Sequence, residues 1–118
     1  MRHKFRELKI WQNARVIVKN VYIATGFFPS AEVYGLQSQA RRAVVSVETN
    51  IVEGSGRGID KDFNHFLNMA IGSLFELQTL LILSNDLNFF ENEIFGNLLN
   101  QCEELEKMIA AFQRNLNK

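Results

Sequence analysis

Between Phe63 and Leu81 the chain places Phe63, Leu67, Ala70, Leu74, Leu77 and Leu81 at steps of 4, 3, 4, 3 and 4. Apolar residues at that spacing form one stripe along an α-helix, and a strand with its period of two would scatter them over both faces. The segment is therefore a helix with a seam that must be covered by other helices. Its remaining circumference also carries Phe66, Met69, Ile71, Phe75, Leu80, Ile82 and Leu83, leaving only a narrow polar strip around His65, Gly72 and Glu76. Such a helix either takes the most enclosed place in the fold or meets a second copy of the chain, with Phe66, Met69, Ser73 and Leu80 as the expected contact residues.

Three other segments carry a helical period. Residues 8–25 place Trp11, Ala14, Val18, Val21 and Thr25 on one seam, and Gly26 followed by Pro29 predicts a left-handed cap and a stop. Residues 36–54 place Leu36, Ala40, Ala43, Val47 and Ile51 together, and the small residues at 40 and 43 allow a neighbouring helix to come close. Residues 92–115 carry Ile94, Leu98, Cys102, Leu105, Ile109 and Phe112, with Leu116 next in phase. The 61–85 helix follows Asp60 as an expected N-cap. Connections of roughly six to ten residues make consecutive helices antiparallel neighbours. The predicted fold class is all-α, a single up-and-down four-helix bundle spanning residues 1–118.

A chain of 118 residues can close one core without disulfides or metal. Ten phenylalanines ask for more burial than a small bundle readily offers, which points to burial between subunits. Cys102 has no second cysteine to pair with, and His3 and His65 are too few for a zinc site. No run of about 18 uninterrupted apolar residues is present, and the charged start MRHKFRELK leaves no room for a signal-peptide core, so a soluble cytoplasmic protein is expected. Charge is balanced overall but uneven. Residues 1–19 hold six basic residues against Glu7, a net of +5, and the other 99 residues sum to −5. A basic first helix attracted to an acidic last helix is the simpler meaning; a basic arm of Arg2, Lys4, Arg6 and Lys9 for RNA or another nucleic acid is the sharper one.

No catalytic constellation emerges. The stretch Glu53-Gly-Ser-Gly-Arg-Gly58 lacks a preceding strand and the Lys-Ser/Thr of a phosphate loop, so it is expected to be a flexible hinge, with anion contact by Arg57 the alternative. A di-iron bundle needs Glu-x-x-His on two helices, and that pattern is absent. On the second helix Arg42, Ser46, Asn50, Glu53 and Arg57 share a polar face beside the seam; Arg41, Arg42, Asn50, Glu53, Arg57 and Glu76 are expected to form a buried or interfacial polar framework. His3 is expected in a mobile terminus and Cys102 as a small buried hydrophobe. The expectation is a protein without enzymatic activity, cofactor or metal.

The runs Phe27-Phe-Pro-Ser-Ala-Glu-Val-Tyr-Gly-Leu36, Gln39-Ala-Arg-Arg-Ala43, Ser46-Val-Glu-Thr-Asn-Ile-Val-Glu-Gly-Ser-Gly-Arg57 and Phe63-x-x-Phe-Leu-x-x-Ala-x-Gly-Ser-x-x-Glu-Leu77 resemble the bacterial four-helix proteins encoded within intervening sequences of 23S ribosomal RNA genes. The resemblance extends from Leu8-x-x-Trp11-x-x-Ala14 into the last helix. It implies a bundle that associates into a homo-oligomeric ring, commonly a pentamer, with no assigned activity and no implied place in the ribosome. The accessory proteins of diversity-generating retroelements look like the same bundle and use a basic ring surface for nucleic acid. This chain, with a pI of 6.7, departs from their strongly basic character.

Overall fold

The computed structural model describes residues 1–117. Four α-helices, α1 Lys9–Thr25, α2 Leu36–Ser55, α3 Asp60–Asp86 and α4 Asn92–Leu116, follow in order, with short 3-10 turns at Phe5–Glu7 and Ser30–Glu32. At about 1.5 Å per residue the 27-residue α3 runs about 40 Å, nearly the full 45 Å length of the molecule.

Each helix packs against the next, and α4 returns to α1, while the backbones of the diagonal pairs α1–α3 and α2–α4 stay more than 8 Å apart, Cα to Cα. Cross-helix partners give the directions. Trp11 near the start of α1 meets Glu48 late in α2, and Gln113 late in α4 meets Asn64 early in α3. Asn13 meets Met108 and Asn20 meets Gln101, so α1 and α4 also run oppositely. The result is the antiparallel square expected from the sequence.

The α3 seam is as spaced: all six residues are buried, joined by Leu80 and Ser84. In α2, Ala40, Ala43, Val47 and Ile51 are buried and Leu36 packs against the core as a half-buried residue. Gly54 marks the closest approach in the molecule's hinge region. A Cβ there would lie 2.7 Å from Phe63 Cδ1 and 2.8 Å from Phe66 Cβ. In α1 the buried set is Ile10, Ala14, Ile17, Val21, Ala24 and Thr25, one position out of phase with the expected seam for Trp11 and Val18, which are half-buried. The α4 seam holds for Leu98, Cys102, Leu105 and Ile109, whereas Ile94 is exposed.

Two capping expectations fail. Gly26 has φ −62° and stays right-handed, so α1 ends without a left-handed cap. Ile59, not Asp60, is the N-cap of α3; Asp60 sits in the first turn, where its charge still opposes the helix dipole favourably. At the start of α2 the cap comes from outside the helix: Glu32 Oε1 accepts the Leu36 N–H at 3.0 Å.

The phenylalanine surplus is largely used within the chain. Phe28 meets Phe89 and Phe90 at ring separations of 5.3 and 5.0 Å, joining the α1–α2 and α3–α4 connections at one end. His3, Phe63 and Phe112 close the other end with ring separations of 5.0 to 6.0 Å. Phe28 and Phe63 are buried, Phe27 and Phe75 are exposed, and the other six are half-buried. By length and composition α3 could cross a membrane, but its seam lies in the bundle core.

Candidate interaction surfaces

The expected polar framework does not come together. Arg41 turns back across the C-terminus of α1, its Nε donating to Thr25 Oγ1 and its Nη2 to the Tyr22 carbonyl, both at 3.0 Å, with the guanidinium 4.6 Å from the Tyr22 ring. Gln37 donates to the Thr25 carbonyl at 2.8 Å. These two side chains add a second donor to carbonyls that already accept the Gly26 and Phe28 N–H groups, and Arg41 places a positive charge at the negative end of the dipole. Arg42 and Glu76 are exposed. Arg57 and Glu53 form a solvent-exposed pair at 3.5 Å, a geometry that contributes little. Arg57 also lies 4.7 Å from the Phe66 ring. Asn50 donates to the Ser46 carbonyl and side chain within its own helix.

The polar link that does join α2 to α3 is Ser46 Oγ to Ser73 Oγ at 2.8 Å. Ser73 is thus engaged inside the chain and is not a free contact residue. Trp11 Nε1 donates to Glu48 Oε1 at 2.6 Å, tying α1 to α2. The sequence shows that tryptophan needs an acceptor; it does not show which carboxylate supplies it.

The expected contact set on α3 divides the same way. Leu80 is only 7% exposed and belongs to the core, and Phe66 is half-buried beneath Arg57, so neither presents a free surface. Met69, at 44% exposed, does. With it lie Phe75, Ile82 and Leu83, each close to half exposed. Positions 69, 72, 75/76, 79 and 82/83 form the outward stripe of α3, whose centre is Gly72 and Thr79.

The basic N-terminus is fastened rather than mobile. The Met1 amine donates to the Gly58 carbonyl at 2.7 Å, Arg2 Nε to the Gly56 carbonyl at 3.0 Å and the His3 backbone N–H to the Ser55 carbonyl at 2.9 Å. These bonds clamp the glycine-rich connection expected to be a hinge. They engage Arg2 through its Nε, and Arg2, Lys4, Arg6 and Lys9 are all exposed.

Between α1 and α4 the bundle is open. A groove of about 300 Å³, flanked by Asn13, Val16 and Glu104, continues at Gln101 into one of about 240 Å³ beside Ile23, Phe27 and Ile94. The expected attraction between basic α1 and acidic α4 makes no ion pair: among the described residues the only salt bridge is Arg57–Glu53. Cys102 is buried on the α4 seam, and burial, aided by the Glu103 charge, pushes its thiol up to about 12. It carries no thiolate at neutral pH. No group of three or more His, Cys, Asp and Glu side chains converges among the described residues.

The model of the 23S rRNA-intervening sequence protein family matches residues 6–111. A solved structure from Bacteroides thetaiotaomicron VPI-5482, a protein of unknown function from the S23 ribosomal protein family, superposes with a TM-score of 0.82 at 18% identity, covering 88% of this chain and 97% of that one. At that identity the likeness establishes the fold. No curated protein matches the chain.

Proposed function

The chain belongs to the 23S rRNA-intervening sequence protein family, and we propose that it is a non-enzymatic, cytoplasmic scaffold or adaptor that works by joining copies of itself into a ring of five. The observation that carries this reading is the outward stripe of α3. Met69, Phe75, Ile82 and Leu83 expose large apolar side chains along one side of a helix whose opposite side already fills the core. Large apolar side chains exposed in this way on both flanks of Gly72, Glu76 and Thr79 are a liability on a monomer and an asset at an interface. A ring buries them on every copy and closes on itself. The mass of the protein in solution tests the reading: light scattering in line with size exclusion is expected to give about five times 13.6 kDa. Phe75→Glu with Ile82→Glu is expected to give helical monomers. A wild-type monomer would contradict the proposal.

A second reading, RNA or DNA held along a basic rim, rests on Lys4, Arg6 and Lys9 remaining exposed at one end of the bundle. A ring would multiply that charge. Binding should weaken steeply with salt and be lost on charge reversal of the three residues; binding indifferent to both would reject the rim.

A further inference from the structure

The stripe on α3 has a counterpart on the diagonally opposite helix. On α1 the exposed positions Lys9, Gln12, Val16, Lys19 and Ile23 follow one another at steps of 3, 4, 3 and 4, ending beside Phe27, which is 81% exposed. This stripe borders the open α1–α4 groove. The two helices carry opposite charge. Lys9, Arg15 and Lys19 give α1 a net +3 with no acidic residue, while Asp60, Asp62, Glu76 and Asp86 against Lys61 give α3 a net −3.

The spacing matches as well as the sign. Lys9 and Lys19 are ten residues apart on α1, and Glu76 and Asp86 are ten apart on α3, about 15 Å in each case. All four are exposed, and none forms an ion pair among the described residues. Laid antiparallel with Lys19 at Glu76 and Lys9 at Asp86, α1 brings Val16 to Thr79 and Ile23 to Gly72. Those are the two central positions of the α3 stripe, flanked by Met69, Phe75, Ile82 and Leu83. A Cβ at Gly72 would meet nothing within 4 Å, so the hollow over that residue is open to an incoming side chain. Run parallel, the same charge pairing would carry Ile23 beyond the end of α3, to the level of Phe90. The antiparallel register keeps every apolar residue covered.

We infer that the occupant of the α3 stripe is the outer face of α1 from a second copy, seated antiparallel with Ile23 over Gly72 and Lys19 beside Glu76. This rests on the self-association proposed above and identifies its surfaces. Because α1 and α3 stand at diagonal corners and turn their exposed stripes to opposite sides of the bundle, the contact is head-to-tail: each copy gives α1 to one neighbour and α3 to the other, as a ring requires.

Two single-cysteine additions test it. Lys19→Cys and Glu76→Cys proteins, mixed and exchanged under reducing conditions and then oxidised, are expected to give a cross-linked species of twice 13.6 kDa. Either protein alone should give none, and buried Cys102 should not react. In parallel, Lys19→Glu and Glu76→Lys singly are expected to weaken assembly at least tenfold, and the double exchange to restore it. An oligomer that neither cross-links nor recovers on charge exchange overturns this pairing while leaving self-association standing. A wild-type monomer at all concentrations overturns both.

Discussion

The two sides of the bundle are built on different terms. Where α2 meets α3, Ala40, Ala43 and Gly54 remove side-chain bulk, Ser46 bonds Ser73, and Phe63 and Phe66 close over Gly54. Where α1 meets α4, the partners are Asn13 with Met108 and Asn20 with Gln101, and a groove runs between the helices. Close packing gains dispersion contacts along the whole seam and tolerates no added atom. An open polar seam gives up those contacts and keeps surface available. The molecule therefore holds its fold mainly through α2 and α3, and exposes along α1 a face that nothing within the chain covers.

Substitutions can break or sharpen this contrast. The largest effect is expected in the spine of α3: Leu74→Ala should cost about 2–5 kcal/mol in urea unfolding, by lost burial and a residual cavity. Val16→Ala, on the outer face of α1 beside the groove, should cost under about 0.5 kcal/mol in monomeric protein. Equal losses would mean that the two sides contribute alike. Next come two glycines. Gly54→Ala should destabilise by about 1–3 kcal/mol, because its methyl would collide with Phe63 and Phe66. Gly96→Ala, in α4 with nothing within 4 Å, should stabilise by up to about 1 kcal/mol through helix propensity; thermal unfolding reads both signs.

A smaller difference is expected between the polar links. Ser46→Ala removes the partner of the Ser73 hydroxyl and should cost about 1 kcal/mol, whereas Asn20→Ala at the open seam should cost a few tenths, water replacing the lost partner. The smallest effect, none at all below pH 9, is in pH dependence. With its thiol pushed up to about 12 from an ordinary 9.0, Cys102 holds its proton in the fold after the unfolded chain has lost it. Its contribution is constant below pH 9 and falls as pH rises from there toward 12. Labelling by a thiol reagent at pH 8 should proceed only through unfolding, and rapid native-state labelling would show the α1–α4 side opening far more freely than its geometry indicates.

The sequence made the spine legible because the seams of α2 and α3 keep an unbroken spacing of three and four, even though α3 carries further apolar residues around it. In α1 two phases compete: Trp11–Val18 and Ile10–Ala14–Ile17–Val21–Ala24. The second is buried because the Trp11 indole N–H must reach Glu48, which holds the ring at the edge. Leu80 lies next to the seam positions Leu77 and Leu81, and a core-facing helix buries more than a strict heptad stripe. The polar residues of α2 do not gather within one chain for a different reason. Periodicity tells which residues share a face of α2, but Arg41 reaches Thr25 Oγ1 and the Tyr22 carbonyl at the end of α1, and no spacing within α2 reveals where that end falls. The surviving surface, Met69 with Phe75, Ile82 and Leu83, was visible as surplus apolar circumference; separating it from Leu80 needed the packed neighbours.

Native-state hydrogen exchange compares the two sides in one experiment. Amides of α2 and α3 around Ser46–Ser73 and Gly54–Phe63 are predicted to exchange only through global unfolding, with the same free energy as urea denaturation, while those of α1 and α4 flanking the groove exchange through smaller openings. Protection of the α1–α4 amides equal to or above that of α2 and α3 would contradict the division of the bundle into a close-packed α2–α3 side that holds the fold and an open α1–α4 side.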